Sequence, residues 1–245
     1  MAHNKSLLVI ADILTQLKNN MNIFCTIICK LNLLLGYAMP RVDSQKFYSS
    51  AIDKYGITAK GVNWHSKESQ KMRFDIILEM LPSDISGYSV ADAGCGFGDL
   101  YLYMLKKRRA PKEYIGIDSL PDMYSIASER TGCEIVIADI CAPRAFPPDG
   151  RGIDELPLAD FYICSGAMNV LESFETHLFV RNCFSSCNIG FIFNVLHGDK
   201  KSETYNYLTT EQIEQMALEL GVKSVILRDD YMEDDITVMF LKDTI

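Results

Sequence analysis

The stretch Ser89–Leu100 reads SVADAGCGFGDL and decides the fold of this chain. A short apolar run ends in a carboxylate, three glycines follow at alternate positions, and an apolar segment of helical period then begins. This order predicts a strand, a tight loop and a helix. Glycines suit the loop because its backbone must take conformations that a β-carbon forbids and must let a ligand lie against it. The loop is therefore predicted to bind a ligand.

The glycine spacing distinguishes two kinds of nucleotide-binding loop. A dinucleotide fingerprint needs glycine at its first, third and sixth positions. Counted from Gly94, the sixth position is Asp99, so this fingerprint fails. The pattern Asp92-x-Gly94-x-Gly96-x-Gly98 instead resembles motif I of the class I S-adenosylmethionine-dependent methyltransferases. That resemblance implies S-adenosylmethionine as the cofactor, with Asp92 and the three glycines among its contacts.

The next predicted strand ends in a second acidic residue, Asp118. It follows Gly98 by 20 positions, close to the spacing at which an acidic side chain reaches a ribose. Residues 118–127 resemble the family's motif II, in which an apolar residue such as Met123 lies against adenine. The resemblance therefore adds Asp118, Ser119 and Met123 to the expected cofactor contacts.

Two further strands are predicted over residues 135–140 and 160–164. The first ends with Asp139 and Ile140, where the family usually contacts the adenine amine. The second is followed by Ser165 and Asn169, at the position of the family's motif IV. The Asp/Asn-Pro-Pro-aromatic sequence of many nucleobase-methylating enzymes is absent there, which argues against DNA base methylation. Ser165 is a predicted cofactor contact, and Asn169 either orients a substrate polar group or caps the next helix.

Strands and helices alternate from residue 88 onward, as in a mostly parallel sheet with crossover helices. Near the end, residues 222–227 and 236–241 form two β runs whose link is too short for a crossover helix, so they should pair antiparallel. The sequence thus predicts an α/β, three-layer, Rossmann-like sandwich. Its sheet is seven-stranded and mostly parallel, closed by an antiparallel C-terminal hairpin. The resemblance covers residues 44–245, with the Rossmann-like core at 88–245.

Residues 44–82 are predicted to form a helical cap. In small-molecule methyltransferases such a segment folds over the cofactor and forms one wall of the substrate pocket. The resemblance to that type makes Tyr48, Trp64, Gln70 and Arg73 candidate substrate contacts. The alternative is that the two aromatic side chains are core residues and that Arg73 is a solvated surface charge.

Residues 1–43 form a predicted N-terminal extension. Its segment 21–39 is nearly long enough to span a bilayer but is interrupted by Lys30 and two asparagines. Three interpretations stay open: an interfacial or dimerising amphipathic helix, a weak membrane anchor, or a translation start placed too far upstream of Met39. The last is favoured because the family resemblance begins near Ser44.

Composition and charge limit the classes of partner that this chain is expected to bind. A chain of 245 residues with 48% hydrophobic content can bury one good core. Its net charge of -8 argues against a protein surface that binds nucleic acid or an anionic membrane, since both of these bind cationic faces. The cationic run 106–109 is interpreted as matching the dipole at a helix C-terminus.

Eight scattered cysteines without a Cys-x-x-Cys pair favour a reduced, cytoplasmic protein with no metal site. The segment 143–157 carries four prolines and is expected to be a loop, with a mobile lid as one interpretation.

The chemistry implied by the resemblance is methyl transfer to a small molecule. Such an in-line displacement mainly needs the nucleophile held close to the methyl group, and a general base only if the acceptor must lose a proton. His197, beyond the fifth predicted strand, is the expected base, His65 is second, and Asn169 is the expected orienting residue. The alternative for each histidine is an ordinary surface residue. The alternative functions are methylation of RNA or protein, and non-catalytic binding of S-adenosylmethionine.

Overall fold

The computed structural model describes residues 43–142 and 156–243. The predictions for residues 1–42 and for most of the loop 143–157 lie outside this part of the chain. The described helices are α1 (Ser44–Tyr55), α2 (Lys67–Met80), α3 (Asp99–Lys106), α4 (Pro121–Thr131), α5 (Ser173–Ser186) and α6 (Thr210–Leu220). Two short 3₁₀ helices span Ala59–Val62 and Ala167–Val170.

The strands are β1 (Ser89–Ala93), β2 (Glu113–Asp118), β3 (Glu134–Ile137), β4 (Ala159–Ser165), β5 (Cys187–His197), β6 (Tyr207–Leu208), β7 (Ser224–Arg228) and β8 (Asp235–Leu241). They form one sheet in the order β3-β2-β1-β4-β5-β8-β7, and β6 pairs with the end of β5. Among these described strands, β8 alone runs antiparallel to its neighbours, β5 and β7. The predicted fold is confirmed, with the short β6 as an additional strand.

One predicted strand is shorter than expected. β3 ends at Ile137 rather than at Ile140, because the chain turns there. The Asp139 carboxylate accepts a hydrogen bond from the Cys141 backbone N–H at 2.9 Å, which closes the turn. Asp139 therefore follows the strand by two residues instead of ending it.

Both faces of the sheet are buried, which explains the near-continuous apolar runs of the central strands. On one face, Phe191 and Phe193 of β5 pack in a core with residues of α5 and α6. On the other face, Ile192 packs in a core with residues of α2 and α3. The three predicted layers are present.

Local sequence sets several of the helix ends. The Ser66 hydroxyl accepts from the Ser69 backbone N–H at 3.0 Å at the start of α2. At the start of α6, Thr209 and Gln212 form a capping box. Gly221 then ends α6 in the left-handed region, which glycine adopts without strain.

The cationic run 106–109 is partly bound by α2. Lys107 pairs with Asp75 at 2.7 Å. The Arg109 guanidinium donates to the Leu78 carbonyl at 2.5 Å and also to the Pro82 carbonyl. These carbonyls lie at the end of α2, where a cation compensates their unpaired oxygens. Half of this run is thus used to fix α3 against α2.

Within the described ranges, no helix has the length and apolar character needed to cross a membrane. The six cysteines of the same ranges form no disulfide with one another.

Candidate cofactor site

The carboxyl ends of β1, β2 and β4 meet at one edge of the sheet, where open α/β sheets bind ligands. The loop after β1 holds Gly94, Gly96 and Gly98 at φ angles of 76°, 53° and 74°. Side chains at these positions would be strained. The loop is anchored to β2, because the backbone N–H groups of Gly94 and Cys95 donate to the Ile117 carbonyl at 2.8 and 3.0 Å.

The three glycines have different neighbours. A β-carbon at Gly94 would lie 2.4 Å from Cβ of Ala167, and one at Gly98 would lie 2.4 Å from Cγ2 of Thr131. Both glycines therefore permit close packing of the chain on itself. A β-carbon at Gly96 would lie 3.4 Å from Cγ1 of Val62, so the middle of the loop faces the segment between α1 and α2.

Asp118 ends β2 directly beside this loop. One carboxylate oxygen accepts from the Gly96 backbone N–H at 2.9 Å, and the other accepts from the Leu120 backbone N–H at 3.1 Å. Burial raises the pKa of Asp118, and these backbone hydrogen bonds oppose that rise. A carboxylate has about four acceptor positions. Among the described residues, the Gly96 and Leu120 N–H groups use two of them, and the Ser119 backbone N–H also interacts with this carboxylate. Acceptor capacity for hydroxyl groups of a ligand remains.

Asp92 lies deeper than the sequence suggests. It is buried in β1 and accepts a hydrogen bond from the Tyr114 hydroxyl at 2.6 Å. Burial raises the pKa of Asp92 to about 7, while the Tyr114 hydrogen bond opposes this rise. The hydrogen-bond partner of Asp92 in this structure is thus Tyr114 of β2, which the spacing of the glycine motif does not reveal.

The residues expected at the adenine end follow β2 and β3. Met123 and Ile140 are buried, whereas Ser119 and Asp139 are exposed. The Asn182 side chain holds the loop after β3 by donating to the Ile140 carbonyl at 2.7 Å. A small cleft of about 70 Å³ lies between α1 and the start of α4, and its walls are Gln45, Ser49, Ile52, Leu120, Pro121 and Asp122.

Ser165 and Asn169 lie at the end of β4. The Ser165 hydroxyl donates to Oδ1 of Asn194 at 3.2 Å. Oδ1 of Asn169 accepts from the Leu196 backbone N–H at 3.1 Å, which ties this segment to β5. The capping alternative for Asn169 is wrong, since the N-cap of α5 is Glu172.

The predicted cap residues Tyr48 and Trp64 reach this edge from the segments before β1. The pKa of Tyr48 is raised by burial, then by the nearby Asp118 and, to a smaller degree, by Cys164 and Tyr205. Its hydroxyl therefore lies near the ends of β2 and β4. A β-carbon at Gly166 would lie 3.3 Å from the Trp64 indole, so this ring covers the residue that follows β4.

Gln70 and Arg73 are both buried and have partners inside the protein. Nε2 of Gln70 donates to Asp99 at 3.1 Å, at the start of α3. Nε of Arg73 donates to Asp235 of β8 at 2.7 Å, and its guanidinium lies 4.9 Å from the centre of the Trp64 ring. The surface alternative for Arg73 is wrong, because the ion pair with Asp235 lies in the interior.

His197 ends β5, where it pairs with Leu208 of β6. Its Nε2 lies 3.2 Å from the Thr210 hydroxyl at the start of α6. The structure places it on the β5 side of the edge, and Asp118 and the glycine loop lie on the β1–β2 side.

Several residues at this edge carry no sequence pattern that would identify them. Asp235 is 162 positions from its partner Arg73, and Tyr231 donates to its second oxygen at 2.5 Å. Nδ2 of Asn194 and Nδ2 of Asn63 are buried without a hydrogen-bond partner in the described part of the chain. Only the closing of the sheet and the cap brings these groups together.

Comparison with known structures identifies the fold. Magnesium protoporphyrin IX methyltransferase from Synechocystis PCC 6803, with bound SAH, has a TM-score of 0.60 and 13% identity over 81% of this chain and 97% of that one. An O-methyltransferase family protein from Burkholderia thailandensis has a TM-score of 0.55 and 11% identity over 73% of this chain and 57% of that one. The small RNA methyltransferase HEN1 has a TM-score of 0.52 and 16% identity over 71% of this chain and 25% of that one.

The sequence matches no protein-family model and no curated protein. The chain has the class I methyltransferase fold.

Proposed function

We propose that this protein is an S-adenosylmethionine-dependent methyltransferase acting on a small molecule. The observation that carries the proposal is Asp118, a buried carboxylate at the end of β2 that is bonded to the glycine loop and retains acceptor capacity. Two ribose hydroxyls would use that capacity. Fold neighbours that include a methyltransferase with bound SAH support the same cofactor.

The residues at the sheet edge fit this cofactor. Asp118 would hold the ribose, buried Met123 and Ile140 would lie against adenine, and the loop that contains Gly96 would border the methionyl part. The bound sulfonium would supply an activated methyl group with a neutral leaving group. The protein would then act mainly by holding the acceptor close and in line, which is an entropic contribution.

Two observations favour a small acceptor over RNA. The chain carries a net charge of -8, which opposes binding of a polyanion. Two of the four cations in the run 106–109 are already bound to α2. We place the acceptor at the end of β4, under Trp64 and beside Tyr48. There Gln70 and Arg73, through Asp99 and Asp235, would hold the pocket wall rather than touch the acceptor.

For the catalytic step we retain Asn169 and His197. Asn169 would position the segment after β4 through its bond to Leu196, and His197 would accept a proton if the acceptor must lose one. Replacing His197 by Ala should then lower the methylation rate by about 100-fold or more and leave cofactor affinity unchanged. Equal rates in both proteins would remove His197 from the mechanism.

The proposed function is tested by binding and by turnover. S-adenosylmethionine at 100 times its dissociation constant should stabilise the protein by about 2.7 kcal/mol, whereas NAD should not. Transfer of labelled methyl groups into a metabolite extract, but not into RNA or protein fractions, would support the small-molecule acceptor. Binding without any transfer would indicate a non-catalytic module, and stabilisation by NAD alone would overturn the assignment.

A further inference from the structure

The segment between α1 and α2 crosses the sheet edge at two defined points. Val62 lies over Gly96, since a β-carbon there would be 3.4 Å from Cγ1 of Val62. Trp64 lies over Gly166, where a β-carbon would be 3.3 Å from the indole. Gly96 belongs to the loop after β1, and Gly166 follows β4. Asn63, between these two contacts, therefore spans the gap between the ends of β1 and β4.

Asn63 has the features of a residue placed for a ligand. Its backbone is in the left-handed region, with φ 59° and ψ 25°, and its N–H donates to the Lys60 carbonyl at 3.0 Å. Its side-chain Nδ2 is buried and has no hydrogen-bond partner in the ranges that the structure describes. Leaving such a donor unpaired is unfavourable, and native proteins usually provide an acceptor.

The strand order indicates which part of the cofactor would lie below Asn63. Along the edge the ends follow the order β3, β2, β1, β4. With adenine toward β3 and the ribose at Asp118 of β2, the methionyl part would extend over β1 toward β4. These strands are about 4.8 Å apart, so β2 and β4 are separated by roughly 10 Å. Residues 62–64 therefore cover the methionyl end.

We infer that the Asn63 carboxamide binds the carboxylate of the cofactor's methionyl group, an assignment that rests on the proposed function. The carboxylate is the strongest hydrogen-bond acceptor at that end of the molecule, and bonds to it are charge-assisted. Two nearby cations are already paired, Arg73 with Asp235 and Arg130 with Asp99 at 2.8 Å. Of the two buried side-chain amide nitrogens without a partner in the described ranges, that of Asn194 lies within β5, whereas that of Asn63 lies between the ends of β1 and β4. Asn63 is therefore the donor that we assign to the carboxylate.

The test compares S-adenosylhomocysteine, which carries this carboxylate, with 5′-methylthioadenosine, which lacks the amino-acid group. Asn63→Gly removes the amide, and glycine accepts φ 59° without strain. Calorimetric titration should show S-adenosylhomocysteine binding about 10- to 100-fold more weakly to this variant, with methylthioadenosine affinity changed less than about 3-fold. Asn63→Asp keeps the side-chain shape but places a negative charge against the carboxylate. It should weaken S-adenosylhomocysteine binding at least as much.

Arg108→Gly is the matched control, because Arg108 is exposed and also has φ 59°. It should leave both affinities unchanged. If Asn63→Gly weakens both compounds equally, or neither, the assignment is overturned while the proposed function stands. Wild-type protein that binds neither compound would instead refute the proposed function itself. Should the glycine variant fail to fold, unchanged S-adenosylhomocysteine affinity in Asn63→Asp would still overturn the assignment.

Discussion

Replacing Asp118 by Ala should weaken cofactor binding strongly. If the carboxylate accepts from both ribose hydroxyls, two charge-assisted bonds are lost, each worth about 1.5–3 kcal/mol. Water entering the gap and non-additivity reduce this to about 2–4 kcal/mol, or roughly 30- to 1,000-fold in the dissociation constant. The same change removes the acceptors of the Gly96 and Leu120 backbone N–H groups. We therefore also expect a loss of about 2–4 kcal/mol in the free energy of unfolding.

The conservative variant Asp118→Asn separates the two roles further. In either orientation its amide nitrogen faces the N–H of Gly96 or of Leu120, so one buried donor loses its acceptor. This should cost about 1–3 kcal/mol of stability. Cofactor affinity should lie between wild type and Asp118→Ala, since the amide can still accept one hydroxyl.

The assay is calorimetric titration of S-adenosylhomocysteine, with unfolding measured in urea. Asp160→Ala is the matched control, because this carboxylate accepts from the Ser89 backbone N–H at 2.9 Å at the other end of β1. It should lose stability and keep full affinity. Unchanged affinity in Asp118→Ala would refute the ribose role, and loss of affinity in Asp160→Ala would show that destabilisation alone explains the effect.

Three further predictions concern packing and charge. Gly94→Ala should destabilise the protein by about 1–3 kcal/mol in urea unfolding, because the new β-carbon would lie 2.4 Å from Cβ of Ala167 and residue 94 has φ 76°. If the variant is as stable as the wild type, the loop can move to accommodate the side chain. Burial raises the pKa of Asp92 from 3.8 to about 7, so the folded protein favours the protonated form of this carboxyl. The free energy of unfolding should therefore fall as the pH rises toward 7. Between pH 5 and 8 the free energy of unfolding of the wild type should fall by up to about 3 kcal/mol, and Asp92→Asn should not show this fall. Parallel plots of unfolding free energy against pH for the two proteins would contradict this prediction. Arg73→Met should cost about 3–5 kcal/mol by leaving Asp235 buried without its cation, and Arg73→Met with Asp235→Leu should recover most of it; no recovery in unfolding experiments would refute the pairing argument.

The fold was largely predictable because its determinants are local. Ser66, Thr209 and Gly221 set helix ends through their own backbone neighbours, and apolar runs mark strands that are buried on both faces. The glycine spacing after β1 and the 20 residues to Asp118 identify the loop and its acidic partner in the same way.

The positions of the cap residues required the tertiary structure. The sequence predicts that Arg73 is a substrate contact, with a surface charge as the alternative, yet Arg73 meets Asp235 across 162 residues once β8 inserts beside β5. Asp92 meets Tyr114 only because β1 and β2 pair in register. Such contacts depend on which strands become neighbours, and a single sequence contains no periodicity that encodes them.

The sequence by itself determined the strand, loop and helix after Ser89, the acidic end of β2 and the alternating α/β order. Each of these features depends on residues that are close to one another in the sequence. The tertiary structure alone decided that Asn63 lies between Val62 over Gly96 and Trp64 over Gly166, with its amide buried and unpaired in the described chain. The physical reason is that burial and hydrogen-bond satisfaction are properties of the packed molecule. They are fixed only when the cap closes on the sheet edge.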